Sequence, residues 1–135
     1  MSSLVIDASV AIKWVVEEEG TEAALALRGR RLLAPDLLNA ECGNILWRKV
    51  RLGQFSPQEA FLAGRLLANA DIEFFPARGL METALEIAIM LDHPVYDCLY
   101  LALAEAQSVN FVTADKRLLQ AASRHTRVRE CAVSL

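Results

Sequence analysis

The sequence predicts an α/β protein: a three-layer α/β/α sandwich with a mostly parallel central sheet. Short apolar runs rich in β-branched residues alternate with longer segments in which apolar residues recur at helical spacing. The short runs contain few polar residues, which is typical of parallel strands buried on both faces. Because no repeat or Pro/Gly/Ser-rich linker interrupts the 135 residues, we expect a single domain over residues 1–135.

The predicted strands are short and end at turn or helix signals. Pro35 and Pro76 stop two of them, because proline cannot donate to the hydrogen-bond ladder. The five strands are predicted over residues 4–6, 32–34, 72–75, 110–113 and 128–133.

The predicted helices lie between these strands. The clearest helix start combines Ser56 as N-cap, Pro57 in the first position and Glu59 placed to close a capping box. The helices are predicted over residues 7–16, 21–27, 36–51, 56–70, 80–91, 94–107 and 116–122.

Composition excludes some classes of protein and leaves others open. A hydrophobic fraction of 54% and a mean hydropathy of +0.27 fit a well-filled core, or equally a dimer face or partner groove. The net charge of −3 does not indicate a polyanion ligand. If four acidic residues surrounded metal ions, however, the remaining net charge would be +1, so nucleic acid is not excluded.

Cysteine usage indicates a reducing compartment. Cys42, Cys98 and Cys131 are odd in number and form no CxxC pair, so a structural zinc site is not expected. The N-terminus lacks the pattern of a signal peptide, and no apolar run approaches the ~20 residues of a membrane span. We therefore expect a cytoplasmic protein.

Four acidic residues stand out by position. Asp7 and Asp115 each follow a predicted strand directly or closely, so both should lie at the carboxyl edge of the sheet, where ligands bind in such folds. Glu41 and Asp97 interrupt largely apolar helical stretches, where a carboxylate is costly unless it is paired or bound to a metal.

Each acid also has a purely structural interpretation. Asp7 and Asp115 fit as N-caps, Asp97 fits as a first-turn acid, and Glu41 fits on a solvent-facing side of its helix. Together, however, the four favour a site for a hard cation such as Mg²⁺ or Mn²⁺. Clustered carboxylates repel one another, so we expect at least one to be hard to ionise without metal.

Four segments resemble the PIN domain, and more closely the VapC-like toxins of bacterial and archaeal toxin–antitoxin pairs. They occur in the family's order and span nearly the whole chain. Residues 95–105 (VYDCLYLALAE) and 111–118 (FVTADKRL) are the most specific, and residues 5–9 (VIDAS) and 40–46 (AECGNIL) complete the pattern.

The resemblance implies a PIN fold and a magnesium-dependent endoribonuclease. It implies that the four acids bind the metal and are catalytic, and that Ser9 and Thr113 support the site through their hydroxyls. It also implies a homodimer, an RNA substrate and a cognate antitoxin that inserts into or beside the active groove. The acids that the resemblance implies as metal ligands and catalytic residues are Asp7, Glu41, Asp97 and Asp115.

Other polar residues are candidates for contacts with RNA. Asn44 and Arg48 follow Glu41 at i+3 and i+7, so Asn44 is expected to orient water or metal ligands and Arg48 to reach a phosphate. Lys116 and Arg117 are further candidates for the RNA backbone. An ordinary surface role stays open for each.

The two tryptophans, Trp14 and Trp47, have the spacing of residues in core or dimer packing, which we favour over base stacking.

In the expected mechanism, water bound to one or two metal ions attacks phosphorus in line. By the family's pattern this leaves a 5′-phosphate and a 3′-hydroxyl.

Other functions fit the sequence less well. A phosphotransfer enzyme of the haloacid dehalogenase type requires an acid two residues after Asp7, where this chain has Ser9. A response-regulator receiver domain requires paired acids after its first strand, which are not evident. The stronger alternative is a catalytically weak PIN-fold module that binds RNA or a partner.

Overall fold

The computed structural model describes residues 2–135, which form five parallel strands and seven α-helices. The sheet has the order β3-β2-β1-β4-β5, so the first strand lies at its centre. The strands are β1 (Ser3–Ile6), β2 (Arg31–Pro35), β3 (Ile72–Phe75), β4 (Asn110–Thr113) and β5 (Ala132–Ser134). Every pairing is parallel, as predicted from the nearly continuous apolar runs.

The helices connect successive strands and cover the sheet. The helices are α1 (Ala8–Ala11), α2 (Thr21–Ala26), α3 (Leu37–Arg51), α4 (Pro57–Ala68), α5 (Met81–Leu91), α6 (Val95–Gln107) and α7 (Lys116–Ala122). One short 3₁₀ turn, Ile12–Trp14, follows α1, and another, Ala77–Leu80, precedes α5. This architecture confirms the predicted three-layer α/β/α fold.

The core is centred on β1 and α6. Val5 and Ile6 in β1 are completely buried, since they have paired strands on both sides and helices on both faces. Helix α6 is buried over the whole stretch from Cys98 to Ala104, because it packs on both α5 and the sheet. Its buried position holds the start of α6 firmly against the carboxyl edge of β1.

Within residues 2–135, no single helix is long and apolar enough to cross a membrane. Only the bent pair Ala77–Leu91 and Val95–Gln107, at 116°, meets the length and composition criteria together.

Three predicted boundaries need correction. The helix expected over residues 7–16 ends as an α-helix at Ala11 and continues as a 3₁₀ turn. Strand β2, expected to stop before Pro35, includes that residue. The pairing with β1 ends at Leu33, so the missing N–H of Pro35 removes no hydrogen bond between β2 and β1. The last strand begins at Ala132 rather than at residue 128, because residues 128–131 form a turn in which Ala132 N–H donates to Val128 C=O at 3.2 Å.

Candidate active site

An open groove of about 420 Å³ lies at the carboxyl edge of the sheet and brings the four predicted acids together. Asp7 follows β1 directly, and Asp115 lies two residues beyond the end of the neighbouring strand β4. Glu41 comes from the second turn of α3, and Asp97 from the first turn of α6. The other lining residues are Ala8, Ser9, Leu37, Ala40, Asn44, Ile45 and Tyr96.

Asp7 is the most buried of the four, with only 6% of its surface exposed. Ser9 Oγ donates to its Oδ1 at 2.5 Å, and Thr113 Oγ1 donates to its Oδ2 at 2.5 Å. The pKa of Asp7 is raised from 3.8 to about 6, chiefly by burial. The hydrogen bonds from Ser9 and Thr113 lower this pKa, and the nearby charge of Asp97 adds a smaller increase. The expected poorly ionised carboxylate is therefore found, but its main cause is burial rather than repulsion among the acids.

Ser9 and Thr113 also connect the two strand ends. Besides contacting Asp7, Ser9 Oγ accepts from the Ala114 N–H at 2.9 Å. Thr113 Oγ1 accepts from the Asp115 N–H at 3.0 Å. Both hydroxyls therefore fix Asp7 relative to the backbone that carries Asp115, and their role in supporting a metal site stays a prediction.

Glu41 is half-buried in the wall of the groove. The Tyr100 hydroxyl donates to its Oε1. Burial raises the pKa of Glu41, the hydrogen bond from Tyr100 lowers it, and the charge of Asp97 raises it. Glu41 does not point freely into solvent, which rules out the simplest structural interpretation of this residue.

Asp97 and Asp115 have different partners. His93 Nε2 lies 2.7 Å from Asp97 Oδ2, one helical turn earlier in the chain, so the imidazole N–H donates to the carboxylate. Asp115 Oδ1 accepts from the N–H groups of Arg117 and Leu118 at 3.0 and 3.2 Å. Asp115 is thus the N-cap of α7 and also faces the groove. Asp7 occupies the N-cap position of α1 without making a capping bond.

The donor chemistry of the groove fits a hard cation. Among residues 2–135, none of the four acids pairs with a lysine or arginine, and the one basic side chain in contact with them is His93, at Asp97. Their charge is therefore not compensated by lysine or arginine, and oxygen ligands of this kind suit Mg²⁺ or Mn²⁺. As placed, no three Asp, Glu, His or Cys side chains of residues 2–135 are close enough to share one ion. Because Mg²⁺ usually keeps several of its waters, the carboxylates that line this groove would hold it partly through water while keeping their present partners.

Of the remaining predicted site residues, one lines the groove and three do not. Asn44 lines the groove, whereas Arg48, Lys116 and Arg117 are exposed and lie outside its lining.

The two tryptophans also differ. Trp14 is partly buried against the core, and its Nε1 donates to Ala24 C=O at 2.8 Å. Trp47 is 54% exposed, so core packing is wrong for it.

Three residues of this region were missed by sequence reasoning: His93, Tyr96 and Tyr100. All lie in or just before α6, at −4, −1 and +3 from Asp97. For His93 and Tyr100 the spacing from Asp97 was the available signal, since residues three or four apart share a helix face. Tyr96, directly before Asp97, carried no such signal.

The PIN domain family model matches residues 4–124. A relative named "Ribonuclease VapC9" from Mycobacterium tuberculosis is 35% identical over 118 residues, which is 85% of this chain and 87% of the relative. A match of this extent establishes kinship as well as fold.

Solved structures share the same fold at lower identity. PAE2754 from Pyrobaculum aerophilum has a TM-score of 0.72 at 20% identity, covering 98% of this chain and 89% of that one. VapC20 from Mycobacterium tuberculosis, described as a sarcin-ricin loop cleaving toxin, has a TM-score of 0.66 at 14% identity, with coverage of 87% and 94%. VapBC2 from Rickettsia felis, bound to a DNA fragment from its promoter, has a TM-score of 0.67 at 11% identity, with 98% coverage of each chain.

The sheet order, the acidic groove and these matches define the class of protein. The chain belongs to the PIN-domain family and, within it, to the group of VapC ribonucleases.

Proposed function

We propose that this chain is a metal-dependent endoribonuclease and the toxin of a toxin–antitoxin pair. The observation that carries the proposal is the convergence of four carboxylates on one groove without lysine or arginine partners. Two of them come from adjacent strand ends and two from helices, so the fold, rather than a local turn, assembles the group. The relatives named as VapC ribonucleases support RNA as the substrate.

In the proposed mechanism, Asp7, Glu41, Asp97 and Asp115 hold one or two Mg²⁺ or Mn²⁺ ions. The metal supplies charge neutralisation at the phosphate and a water whose pKa is lowered toward neutrality. Ser9 and Thr113 keep the Asp7 carboxylate fixed between them. We expect Asn44, one turn after Glu41 and in the groove lining, to orient a water molecule with its amide. Hydrolysis leaves a 5′-phosphate and a 3′-hydroxyl.

RNA binding involves residues around the groove as well as within it. Lys116 and Arg117 begin α7 next to Asp115, and both are exposed. Arg48 lies two turns beyond Glu41 on α3. Because these cations lie outside the groove lining, we propose that they contact phosphates flanking the scissile one, where they would raise affinity in a salt-dependent way.

The antitoxin is proposed to occupy a separate apolar groove of about 560 Å³ between α3 and α4. Trp47 on α3 and Phe61 on α4, which are 54% and 64% exposed, form part of its lining. Helix α3 also carries Glu41 and Asn44, so a segment bound in this groove lies beside the acidic site. A toxin that is inhibited by such a partner would act in the cytoplasm, where its RNA substrate is found.

The first test is cleavage of a structured RNA by purified protein with Mg²⁺ or Mn²⁺. We expect cleavage to require the metal, to stop with EDTA, and to leave 5′-phosphate ends. Asp7→Asn should reduce the cleavage rate by at least the ~10²–10³-fold that is typical of losing a key electrostatic group. Quantitative end-labelling of the fragments measures both the rate and the end chemistry.

Arg30→Gln is a suitable control, because Arg30 lies before β2, at the opposite edge of the sheet from the acids, and contacts Ser2. It should cleave as the wild type does. If folded, antitoxin-free protein cleaved no RNA but still bound it, the proposal would be replaced by a PIN-fold binding module.

A further inference from the structure

The phenol of Tyr100 is buried and bonded to a residue of the acidic groove. Tyr100 is 0% exposed, and its ring stacks on Phe111 of β4 at a centroid distance of 5.6 Å and an interplanar angle of 16°. Its hydroxyl donates to Glu41 Oε1.

The ring and the carboxylate differ in how firmly each is held. Tyr100 lies within the fully buried stretch of α6 and is fixed by α6 and the sheet. Glu41 has a long side chain with several rotatable bonds, and ordering it costs entropy. Among residues 2–135, Tyr100 is the only side chain that donates to Glu41. The core therefore determines, through one hydroxyl, where this carboxylate lies.

Three of the four acids of the groove have a side-chain donor, whereas Asp115 accepts from the backbone N–H groups of Arg117 and Leu118. Asp7 is held by Ser9 and Thr113, Asp97 by His93, and Glu41 by Tyr100. We propose that Tyr100 is a positioning residue that holds the Glu41 carboxylate at the groove wall and so prepares it to bind a divalent cation. This inference rests on the proposed function, because it takes Glu41 as a metal ligand.

The main test is Tyr100→Phe, which removes one oxygen and keeps the ring on Phe111. Hydrogen-bond partners of metal ligands typically contribute 10–100-fold to metal affinity or activity. We therefore expect Mn²⁺ binding, measured by titration calorimetry on the full chain, to weaken at least tenfold. In cleavage assays kcat should fall while KM for RNA stays unchanged, because the phenol contacts no RNA.

A matched control separates positioning from a loss of stability. Thr21 is also buried, and its hydroxyl donates to Val16 C=O at 3.2 Å and accepts from Glu18 N–H, outside the groove. Thr21→Val should lower the melting temperature and leave Mn²⁺ affinity unchanged. If Tyr100→Phe likewise lost stability but bound Mn²⁺ as tightly as the wild type, the inference would be wrong.

A double-mutant cycle tests whether Tyr100 acts through Glu41. In a Glu41→Gln background, Tyr100→Phe should cause little further loss of Mn²⁺ affinity. Equal losses in the two backgrounds would overturn the proposal. Wild-type protein that bound no Mn²⁺ at all would instead defeat the proposed function itself, so the two failures can be told apart.

A measurement on folded wild-type protein covers the case in which Tyr100→Phe does not fold. The chain has two tyrosines, so labelling with 3-fluorotyrosine gives one ¹⁹F environment at Tyr96 and one at Tyr100. Tyr96→Phe identifies the Tyr100 signal. We expect Mg²⁺ to shift that signal in the wild type and not in Glu41→Gln. A Tyr100 signal that does not shift at saturating Mg²⁺ would show that Tyr100 is not coupled to cation binding at Glu41, and the proposal would be wrong.

Discussion

At the scale of single residues, the acids were predictable, but two of their four side-chain hydrogen-bond donors, His93 and Tyr100, were not. An aspartate after a buried strand, or a carboxylate within an apolar helix, is unusual enough to be noticed in the sequence alone. Tyr100 and His93 look like ordinary members of their segments, because a phenol or imidazole becomes informative only when its partner is known. Glu41 and Tyr100 lie 59 residues apart, so nothing local connects them.

Burial of Asp7 predicts a characteristic pH dependence of stability in metal-free protein. The pKa of this carboxyl is about 6 in the folded chain against an ordinary value of 3.8, so the folded state binds the proton more readily than the unfolded state does. The stability that this group contributes is fully present below about pH 4 and is lost as the pH rises through about 6. The total loss is about 3 kcal/mol.

Asp7→Asn removes that titration. Its free energy of unfolding relative to wild type should therefore increase between about pH 4 and pH 6 and then level off, as measured by urea unfolding without divalent metal. A difference that did not change with pH would show that Asp7 is ionised throughout that range. The same variant should abolish cleavage, so stability and activity move in opposite directions.

At the scale of elements, helices and strands with strong local signals were predicted well. Strands β3 and β4 and helix α7 have the expected limits, because their ends carry Pro76, a strand-ending threonine and an N-capping Asp115. The last strand was predicted too early because Val128 is apolar, yet it is buried in a turn that precedes β5. Hydrophobic pattern alone does not separate a buried turn from a strand.

The start of α4 offers a test at this scale. Ser56 Oγ accepts from Glu59 N–H at 3.1 Å, and Glu59 Oε1 accepts from Ser56 N–H at 2.9 Å, completing the predicted capping box. Ser56→Ala should cost about 1 kcal/mol, which lowers the melting temperature by about 4 °C in a chain of this size.

The conservative variant Glu59→Gln keeps an oxygen acceptor. Its melting temperature should fall less than that of Ser56→Ala in the same calorimetric scan. An unchanged melting temperature for Ser56→Ala would show that packing of α4, rather than its cap, determines where the helix starts.

At the scale of the whole molecule, the surplus of apolar residues has two locations. One is the groove between α3 and α4. The other is a stripe on α5 formed by Met81, Leu85 and Ile89, which are 44%, 52% and 74% exposed. The buried core accounts for one interpretation of the hydrophobic composition, and the other, a partner surface, stays a prediction. We propose that the α5 stripe is covered by a second copy of the chain, in keeping with the expected homodimer.

The double variant Leu85→Glu/Ile89→Glu should convert the proposed dimer into a monomer, because it introduces like charges into a face that would contact another protein. Sedimentation velocity measures the change, and circular dichroism checks that the fold is kept. Arg30→Gln, which lies before β2 and outside α5, should leave the sedimentation coefficient as it is in the wild type. A wild-type protein that sediments as a monomer at every concentration would contradict the proposal.

The central position of β1 also determines when during synthesis the groove forms. β1 is made first, yet one of its two neighbours is β4, and the Thr113–Asp7 hydrogen bond spans 106 residues. Parallel strands pair only after the intervening chain exists, so contacts of this kind form late in folding. A nascent chain on the ribosome therefore lacks the complete acidic group until β4 and Asp115 have emerged. On the proposed function, the chain would therefore gain the ability to cleave RNA only after β4 and Asp115 have emerged from the ribosome.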